Sequence, residues 1–292
     1  MSKIYYYIHT GHRVGLERLR RSAPVINALL KMGEEVTLLT SDFRAGEFAR
    51  EQFGIRKYVS VDVPRNIANI ATPADFLVYD SQEEHRAMWE SMADYFRGVV
   101  RISDDPEDFV TKERGLVSPV ASGEGILTAE IVDSRYFEVA EHGEKTVYFW
   151  GDDDYDTRLL TLADAFEGLD VTLLEGYYFF LQYGEELATK FAGVAESEAY
   201  DETLTGAKRF LTSSPQSALE ALAAGSCPIY IEKPGVPVSW RERMKRYGIP
   251  VVENFSVKEM LQKPSAMGGS VTKMLRNDAP EVVASYIRDK LS

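Results

Sequence analysis

The chain begins with the sequence KIYYYIHTG (residues 3–11), and its second half begins with the similar sequence KTVYFWG (residues 145–151). In both, a short run of β-branched and aromatic residues is followed by a loop that contains glycine and then by apolar residues at helical spacing. Each half therefore starts as a strand, a loop and a helix. This order predicts Rossmann-like domains built on parallel sheets.

The same alternation continues through both halves. Predicted strands are 4–8, 36–40, 58–63, 76–80, 99–102, 146–150, 171–174, 208–212, 228–232 and 251–252. Predicted helices are 16–32, 44–53, 83–96, 157–166 and 215–224, with a further aromatic-rich helix after residue 174. A kink or break is expected near Pro24, which lies inside the first helix.

Residues 104–141 are less regular, although 125–132 could form a strand, and we interpret this stretch as the crossing between two lobes. The predicted domains are an N-terminal Rossmann-like lobe at 1–141 and a C-terminal, nucleotide-binding Rossmann-like lobe at 142–292. Parallel sheets bind ligands at the carboxyl ends of their strands. The expected fold is therefore α/β, with two parallel-sheet lobes that face an interdomain cleft.

Composition limits the classes of function. A chain of 292 residues with 45% hydrophobic content favours two domains over one. Without an apolar run of about 18 residues or a signal-peptide region, the chain is expected to be cytoplasmic and not inserted in a membrane. A net charge of −13 disfavours nucleic-acid binding, which depends on Lys and Arg, but allows a small phosphorylated ligand held by local donors.

The residues that commonly bind metals or react as nucleophiles are sparse. The lone cysteine, Cys227, lies in an apolar run and is predicted to be a buried, inert thiol. The four histidines have no metal-ligand spacing, so neither a metal site nor a cofactor is predicted. Residues 152–156 contain four aspartates, which could bind a divalent ion but are more often a helix cap. The oligomeric state is not indicated.

The first candidate binding segment is GHRVG (residues 11–15), between the first strand and its helix. Its two glycines allow a tight turn and close approach of a ligand to the backbone, and the helix N-terminus behind it favours negative charge. The pattern differs from the Gly-x-Gly-x-x-Gly dinucleotide fingerprint. The alternative is a simple connection in which His12 caps backbone groups.

The second segment is LTSSPQSALE (residues 211–220). Ser214 is a natural N-cap and Pro215 suits the first helical position, so the first turn could offer amides to a phosphate. Glu220 follows in the second turn, where its carboxylate could accept two ribose hydroxyls. The alternative is an ordinary capped helix with a solvated glutamate.

Both segments resemble nucleotide-sugar enzymes of the GT-B architecture, above all the PseG-like hydrolases of pseudaminic acid biosynthesis, which remove UDP from an activated sugar, and more distantly the MurG-type glycosyltransferases. Gly11-His12 is similar to the Gly-His loop of these families, and Thr212–Pro228 is similar to their nucleotide-binding block. The chain departs from the pattern at Gly151–Asp154, where a Gly-Gly-x-Asp loop is usual, and at Ser239–Arg241, where an Asn-Gln type element is usual.

The resemblance implies roles for particular residues. Glu220 would bind the ribose. His12 would be the general base on chemical grounds, because an imidazole can take a proton from the attacking oxygen near neutral pH. The remaining substrate-binding candidates are Gly11, Arg13, Asp80, Ser213, Ser214, Gln216 and Ser217. Asp80 ends a strand and either contacts the ligand or caps the next helix.

The leading hypothesis is a hydrolase or glycosyltransferase that cleaves the bond between a sugar and a nucleoside diphosphate without a required metal. The ligand would be a nucleotide-sugar or the nucleoside diphosphate itself. The second hypothesis is a non-catalytic GT-B-like binding or scaffold protein, because fold alone does not secure function.

Overall fold

Two parallel β-sheets form the framework of the protein. The computed structural model describes residues 3–81, 86–139, 143–179, 183–233, 238–253, 255–256, 259–260 and 275–292. The chain divides into unit 1, which comprises Met1–Gly11, Arg18–Asp133 and Asn277–Ser292, and unit 2, which comprises His12–Glu17 and Ser134–Arg276. The domain boundary at 141/142 stays a prediction.

The sheet of unit 1 has seven strands in the order β3-β2-β1-β4-β5-β6-β7. They are β1 (Ile4–Ile8), β2 (Val36–Thr40), β3 (Tyr58–Ser60), β4 (Phe76–Asp80), β5 (Gly98–Ile102), β6 (Gly115–Ser118) and β7 (Ile126–Thr128). Every pair is parallel, and Ile8 lies opposite both Thr40 and Asp80. The carboxyl ends of β1, β2 and β4 therefore meet at one edge.

The sheet of unit 2 repeats this arrangement with six parallel strands in the order β10-β9-β8-β11-β12-β13. They are β8 (Thr146–Phe149), β9 (Val171–Leu174), β10 (Gly193–Ala195), β11 (Arg209–Thr212), β12 (Cys227–Ile231) and β13 (Val251–Val252). In both sheets the first strand lies in the interior and the order reverses beside it. This reversal is the switch point at which open parallel sheets bind ligands.

The α-helices connect these strands. They are α1 (Glu17–Lys31), α2 (Phe43–Phe53), α3 (Arg86–Tyr95), α4 (Arg158–Leu162), α5 (Gly184–Ala188), α6 (Tyr200–Gly206), α7 (Pro215–Ala223), α8 (Val238–Arg246) and α9 (Ala279–Leu291). Helix α1 runs without a break through Pro24, whose missing N–H removes one hydrogen bond of the helix. Within the described residues, no helix is long and apolar enough to cross a membrane.

Strand β6 lies in the stretch that the sequence analysis treated as irregular. It begins at Gly115, where a Cβ would overlap the hydroxyl of Tyr286 from α9. A glycine inside a strand weakens the strand. The close approach of Tyr286 explains why a glycine is nevertheless needed at position 115. The predicted strand at 125–132 is the shorter β7, and Cys227 at the start of β12 is half-buried rather than buried.

Aromatic side chains fill the core of unit 2. The Tyr148 ring stacks on Phe166 and on Phe191, with centroid distances of 4.8 and 6.3 Å. Tyr183 joins the same cluster, and Phe179 packs against it. The aromatic-rich segment after β9 therefore packs in the core. Its described residues up to Tyr183 form turns and not the predicted helix, and residues 180–182 lie outside the described chain.

Candidate functional site at the carboxyl edge of the second sheet

The loops that follow β8, β11 and β12 leave the same edge of the second sheet, on both sides of its switch point. The amide of Ser213, just after β11, donates to the carbonyl of Phe149 at the end of β8, at 3.1 Å. This bond joins the loop after β8 to the turn that leads into α7. A ligand at the switch point would meet both loops.

The turn from β11 into α7 has the predicted geometry. Ser214 is the N-cap, its Oγ accepts from the Ser217 amide at 3.2 Å, and the helix begins at Pro215. The Ser214 amide donates to the Thr212 hydroxyl at 3.0 Å. Three amides of this turn therefore donate within the protein, those of Ser213, Ser214 and Ser217. An anion bound here would be attracted mainly by the positive end of the helix dipole.

Glu220 lies inside the protein and is 1% exposed. Its carboxylate accepts from the Tyr200 hydroxyl at 2.6 Å and from Gln216 Nε2 at 3.1 Å. The Tyr200 hydroxyl also lies 2.7 Å from Ser217 Oγ. The alternative of a solvated glutamate is therefore wrong. Each carboxylate oxygen has a second lone pair, and the ribose-binding role stays a prediction.

Residues His12–Glu17, which include His12 and Arg13 of the GHRVG segment, belong to unit 2, whereas α1 from Arg18 onward belongs to unit 1. The exposed His12 ring packs on Tyr178, with 4.8 Å between centroids and a tilt of 49°. The guanidinium of Arg13 lies 4.1 Å from the centroid of Tyr155. Arg13 has a φ of +72°, a conformation that costs about 1 kcal/mol or more outside glycine. The loop is thus held in a strained shape by two ring contacts.

Gly11 and Asp80 lie in unit 1, at the carboxyl edge of the first sheet. A Cβ at Gly11 would lie 3.4 Å from that of Asp42. Asp80 is fully buried and accepts from Arg21 Nε at 2.9 Å and Nη2 at 2.5 Å, while Arg21 Nη1 is bidentate to Asp104 at 2.7 and 2.9 Å. Burial lowers the pKa of Arg21, but Asp104 and Asp80 outweigh it and raise that pKa well above its usual value.

Asp80 thus holds α1 against β4 through a buried ion pair. It also accepts from the Ser22 hydroxyl at 2.9 Å. The pair belongs to a buried network, because Arg21 also pairs with Asp104 and Asp80 also lies 3.6 Å from Arg18 Nε. The substrate-binding role of Asp80 stays a prediction, as do those of Gly11 and Arg13.

The acidic loop after β8 begins at Gly151, whose φ is +131°. Asp154 accepts from the amides of Arg158 at 2.9 Å and Leu159 at 3.0 Å and so caps α4. Burial raises the pKa of Asp154. Of the two interpretations of the aspartate run, helix capping is the one that the geometry of Asp154 fits, and the described residues contain no group of three or more potential metal ligands.

Lys233, two residues after β12, is a site residue that was not predicted from the sequence. Its ammonium lies 4.3 Å from the Trp150 ring centroid, and a Cβ at Gly151 would be only 3.1 Å from it. No described residue forms a hydrogen bond or ion pair with this ammonium. Burial lowers the pKa of Lys233 to about 8, although Glu17 and the carboxylates of Asp152–Asp154 act in the opposite direction.

The position of Lys233 could have been recognised from sequence. It directly follows the predicted strand 228–232, and residues at the carboxyl ends of the strands near a switch point can contact a ligand. The sequence pattern of Lys233 alone does not reveal that its ammonium forms no ion pair with the described residues. That feature depends on the fold, which brings Lys233 beside Trp150 from a different strand.

Comparison with known proteins adds the fold family. No protein-family model and no curated protein sequence matches the chain. Many solved structures match over nearly the whole chain, and they include the following three. Staphylococcus aureus MnaA with UDP has a TM-score of 0.66 at 10% identity, covering 100% of this chain and 97% of its own. Acinetobacter baumannii MurG has a TM-score of 0.57 at 11% identity, and the match covers 98% of this chain and 99% of MurG. The spinosyn rhamnosyltransferase SpnG with thymidine diphosphate has a TM-score of 0.59 at 11% identity, and the match covers 100% of this chain and 96% of SpnG.

The chain has the GT-B fold. At 10 to 11% identity the likeness is one of fold alone. The GT-B resemblance that the Gly-His and Ser-Ser segments predicted is confirmed at this level. Within the GT-B proteins, the closer likeness to PseG-like hydrolases stays a prediction.

Proposed function

We propose that this GT-B protein binds a nucleotide-sugar and cleaves the bond between the sugar and the nucleoside diphosphate, without a required metal. The observation that carries the proposal is the ammonium of Lys233, which no described residue pairs. It lies 4.3 Å from the Trp150 ring at the switch-point edge. A partly buried cation that contacts an aromatic ring but pairs with no carboxylate among the described residues is unfavourable in the ligand-free protein, and a diphosphate would supply the missing charge.

The remaining features of the site suit the other parts of such a ligand. The N-terminus of α7 favours negative charge near the diphosphate. Glu220 would accept hydroxyls of the ribose. MnaA was solved with UDP and SpnG with thymidine diphosphate, so nucleoside diphosphates are the ligand class that we infer by analogy of fold.

His12 would be the general base of the reaction. The oxygen of water or of an acceptor hydroxyl attacks the anomeric carbon, and His12 takes the proton of that oxygen. The bond from the anomeric carbon to the phosphate oxygen breaks, and its electron pair leaves with the diphosphate. Lys233 would stabilise the charge that develops on this leaving group, which is the usual role of a preorganised cation in such reactions.

The second candidate is a non-catalytic protein that binds a nucleoside diphosphate. The specific observation in its favour is the internal use of the ligand-binding groups: the amides of Ser213, Ser214 and Ser217, and both carboxylate oxygens of Glu220, already have partners. A site of this kind would bind an anion through Lys233 and would catalyse no reaction.

A thermal-shift series with uridine, UDP, other nucleoside diphosphates and their sugar conjugates tests the proposal. A ligand that binds only the folded state raises the melting temperature. We expect stabilisation by nucleoside diphosphates and none by uridine, together with release of the diphosphate from at least one sugar conjugate. Stabilisation without release would favour the second candidate, and no stabilisation by any nucleotide would refute both.

A further inference from the structure

A second candidate site lies in unit 1, in a cavity of about 290 Å³ between the 3-10 helix Pro64–Asn69 and the end of α3. This volume equals that of about ten liquid waters and is close to the lower end of small-molecule pockets, about 300 Å³. None of the cavity's lining residues belongs to the carboxyl edge of the second sheet. The cavity is therefore independent of the proposed nucleotide site.

The floor of the cavity is apolar. Ile67, Met92 and Phe96 line it, and all three are buried members of the core cluster that packs on one face of the first sheet. Because these side chains are already almost fully buried, the gain from an apolar group in the cavity comes mainly from removing the group's own surface from water, at about 25 cal/mol per Å². The floor therefore favours an aliphatic or aromatic group.

The walls are held in place by hydrogen bonds. The Tyr95 hydroxyl of α3 lies 2.9 Å from the carbonyl oxygen of Ala71 and 3.3 Å from that of Ala68, so it ties the 3-10 helix to α3. The Tyr95 ring also packs edge-on against Phe96, at 5.1 Å. A pre-formed cavity spares the ligand the free-energy cost of opening it.

The rim carries one charge. Arg65 is the sole charged residue in the cavity lining, it is exposed, and no described residue forms a hydrogen bond or ion pair with it. Val63 and Ile70, on either side of the 3-10 helix, are exposed apolar side chains. An apolar floor beside a single unpaired guanidinium is complementary to a molecule with an apolar body and one anionic end.

We propose that this cavity binds a small amphipathic carboxylate. The apolar body of the ligand lies on Ile67, Met92 and Phe96, and the carboxylate pairs with the Arg65 guanidinium. This geometry selects a carboxylate over a neutral molecule of the same shape, since the neutral molecule leaves Arg65 unpaired.

A ligand-observed NMR titration with phenylbutyrate, and with the neutral phenylbutanol as its isostere, tests the proposal on the full chain. Arg65→Gln removes the charge, and Ala68→Trp fills the cavity from an exposed rim position where a large side chain does not disturb the core. Arg56→Gln is the matched control, because Arg56 is another exposed arginine of unit 1 outside the cavity lining.

We expect the wild type and Arg56→Gln to bind phenylbutyrate more tightly than phenylbutanol. Arg65→Gln should weaken binding of the acid by up to about fivefold, the upper end of the range for an exposed ion pair, and leave the alcohol unchanged. Ala68→Trp should abolish binding of both. The proposal is overturned if phenylbutyrate does not bind up to its solubility limit, if binding survives Ala68→Trp, or if acid and alcohol bind equally in wild type and Arg65→Gln.

Discussion

Replacing Lys233 by methionine separates the anchoring of phosphate from the stability of the fold. Methionine keeps a long apolar stem beside Trp150 and removes the charge. If Lys233 pairs with the diphosphate, the variant loses a charge-assisted hydrogen bond, which contributes about 1.5 to 3 kcal/mol. The expected loss in UDP affinity is therefore about 10- to 150-fold.

The stability of the ligand-free protein should change in the opposite direction. The pKa of Lys233 is lowered from 10.5 to about 8, a shift that corresponds to at most about 3 kcal/mol in favour of the neutral form. Because the side chain is partly exposed, solvent screening reduces this to about 1 to 2 kcal/mol. Lys233→Met should therefore be more stable than wild type at neutral pH by about that amount.

The titration of Lys233 also predicts how stability and UDP affinity change with pH. Between pH 8 and 10.5 the unfolded chain keeps a proton that folded Lys233 has lost, so the stability of the wild type rises with pH across this window. Only the protonated amine attracts phosphate, so UDP affinity should fall as the pH rises above about 8. In Lys233→Met neither effect of this residue remains.

Isothermal titration calorimetry with UDP and uridine, together with urea unfolding, measures these quantities. Lys208→Met is the matched control, because Lys208 is an exposed lysine before β11, at the amino edge of the same sheet, ion-paired with Glu144. Equal UDP affinity in wild type and Lys233→Met would refute the assignment. So would an equal loss for uridine, which has no phosphate.

Three further variants test the other residues. His12→Ala should lower turnover about a hundredfold or more, while nucleotide affinity and stability stay nearly unchanged. Unchanged turnover would remove His12 from the mechanism, and a large loss of stability would indicate a structural role instead. Glu220→Ala should weaken UDP binding by about 1.5 to 3 kcal/mol and pyrophosphate binding hardly at all, as measured by calorimetry. Equal losses of affinity for the two ligands, or no loss for either, would contradict ribose binding. Asp80→Asn should destabilise the protein by about 1.5 to 3 kcal/mol in urea, because the buried Arg21 keeps Asp104 but loses one of its two described carboxylate partners. A loss of UDP affinity at unchanged stability would instead make Asp80 a ligand.

Most of the fold follows from local pattern. Strands β1, β2, β4 and β9 have the predicted bounds, because each is a short apolar run between polar turns. The start of α7 was also predictable, since Ser214 and Pro215 determine it by capping and by a fixed φ angle. The parallel order then follows from the alternation of strands and helices.

What the sequence could not reveal depends on contacts between distant residues. Strand β6 begins with a glycine that only the approach of Tyr286, far along the chain, explains. The burial of Glu220 requires Tyr200 and Gln216 as partners, and sequence alone favoured the cleft or solvent equally. The unpaired state of Lys233 likewise becomes visible only when β8 and β12 are placed in one sheet.

The most direct test of the central claim, that the second sheet binds a nucleoside diphosphate at its switch point, is a crystal structure of the protein with UDP. The proposal predicts diphosphate oxygens within hydrogen-bond distance of Lys233 Nζ, beside the N-terminus of α7, and ribose hydroxyls on Glu220. UDP bound elsewhere, or diphosphate density that leaves Lys233 unpaired, would contradict it.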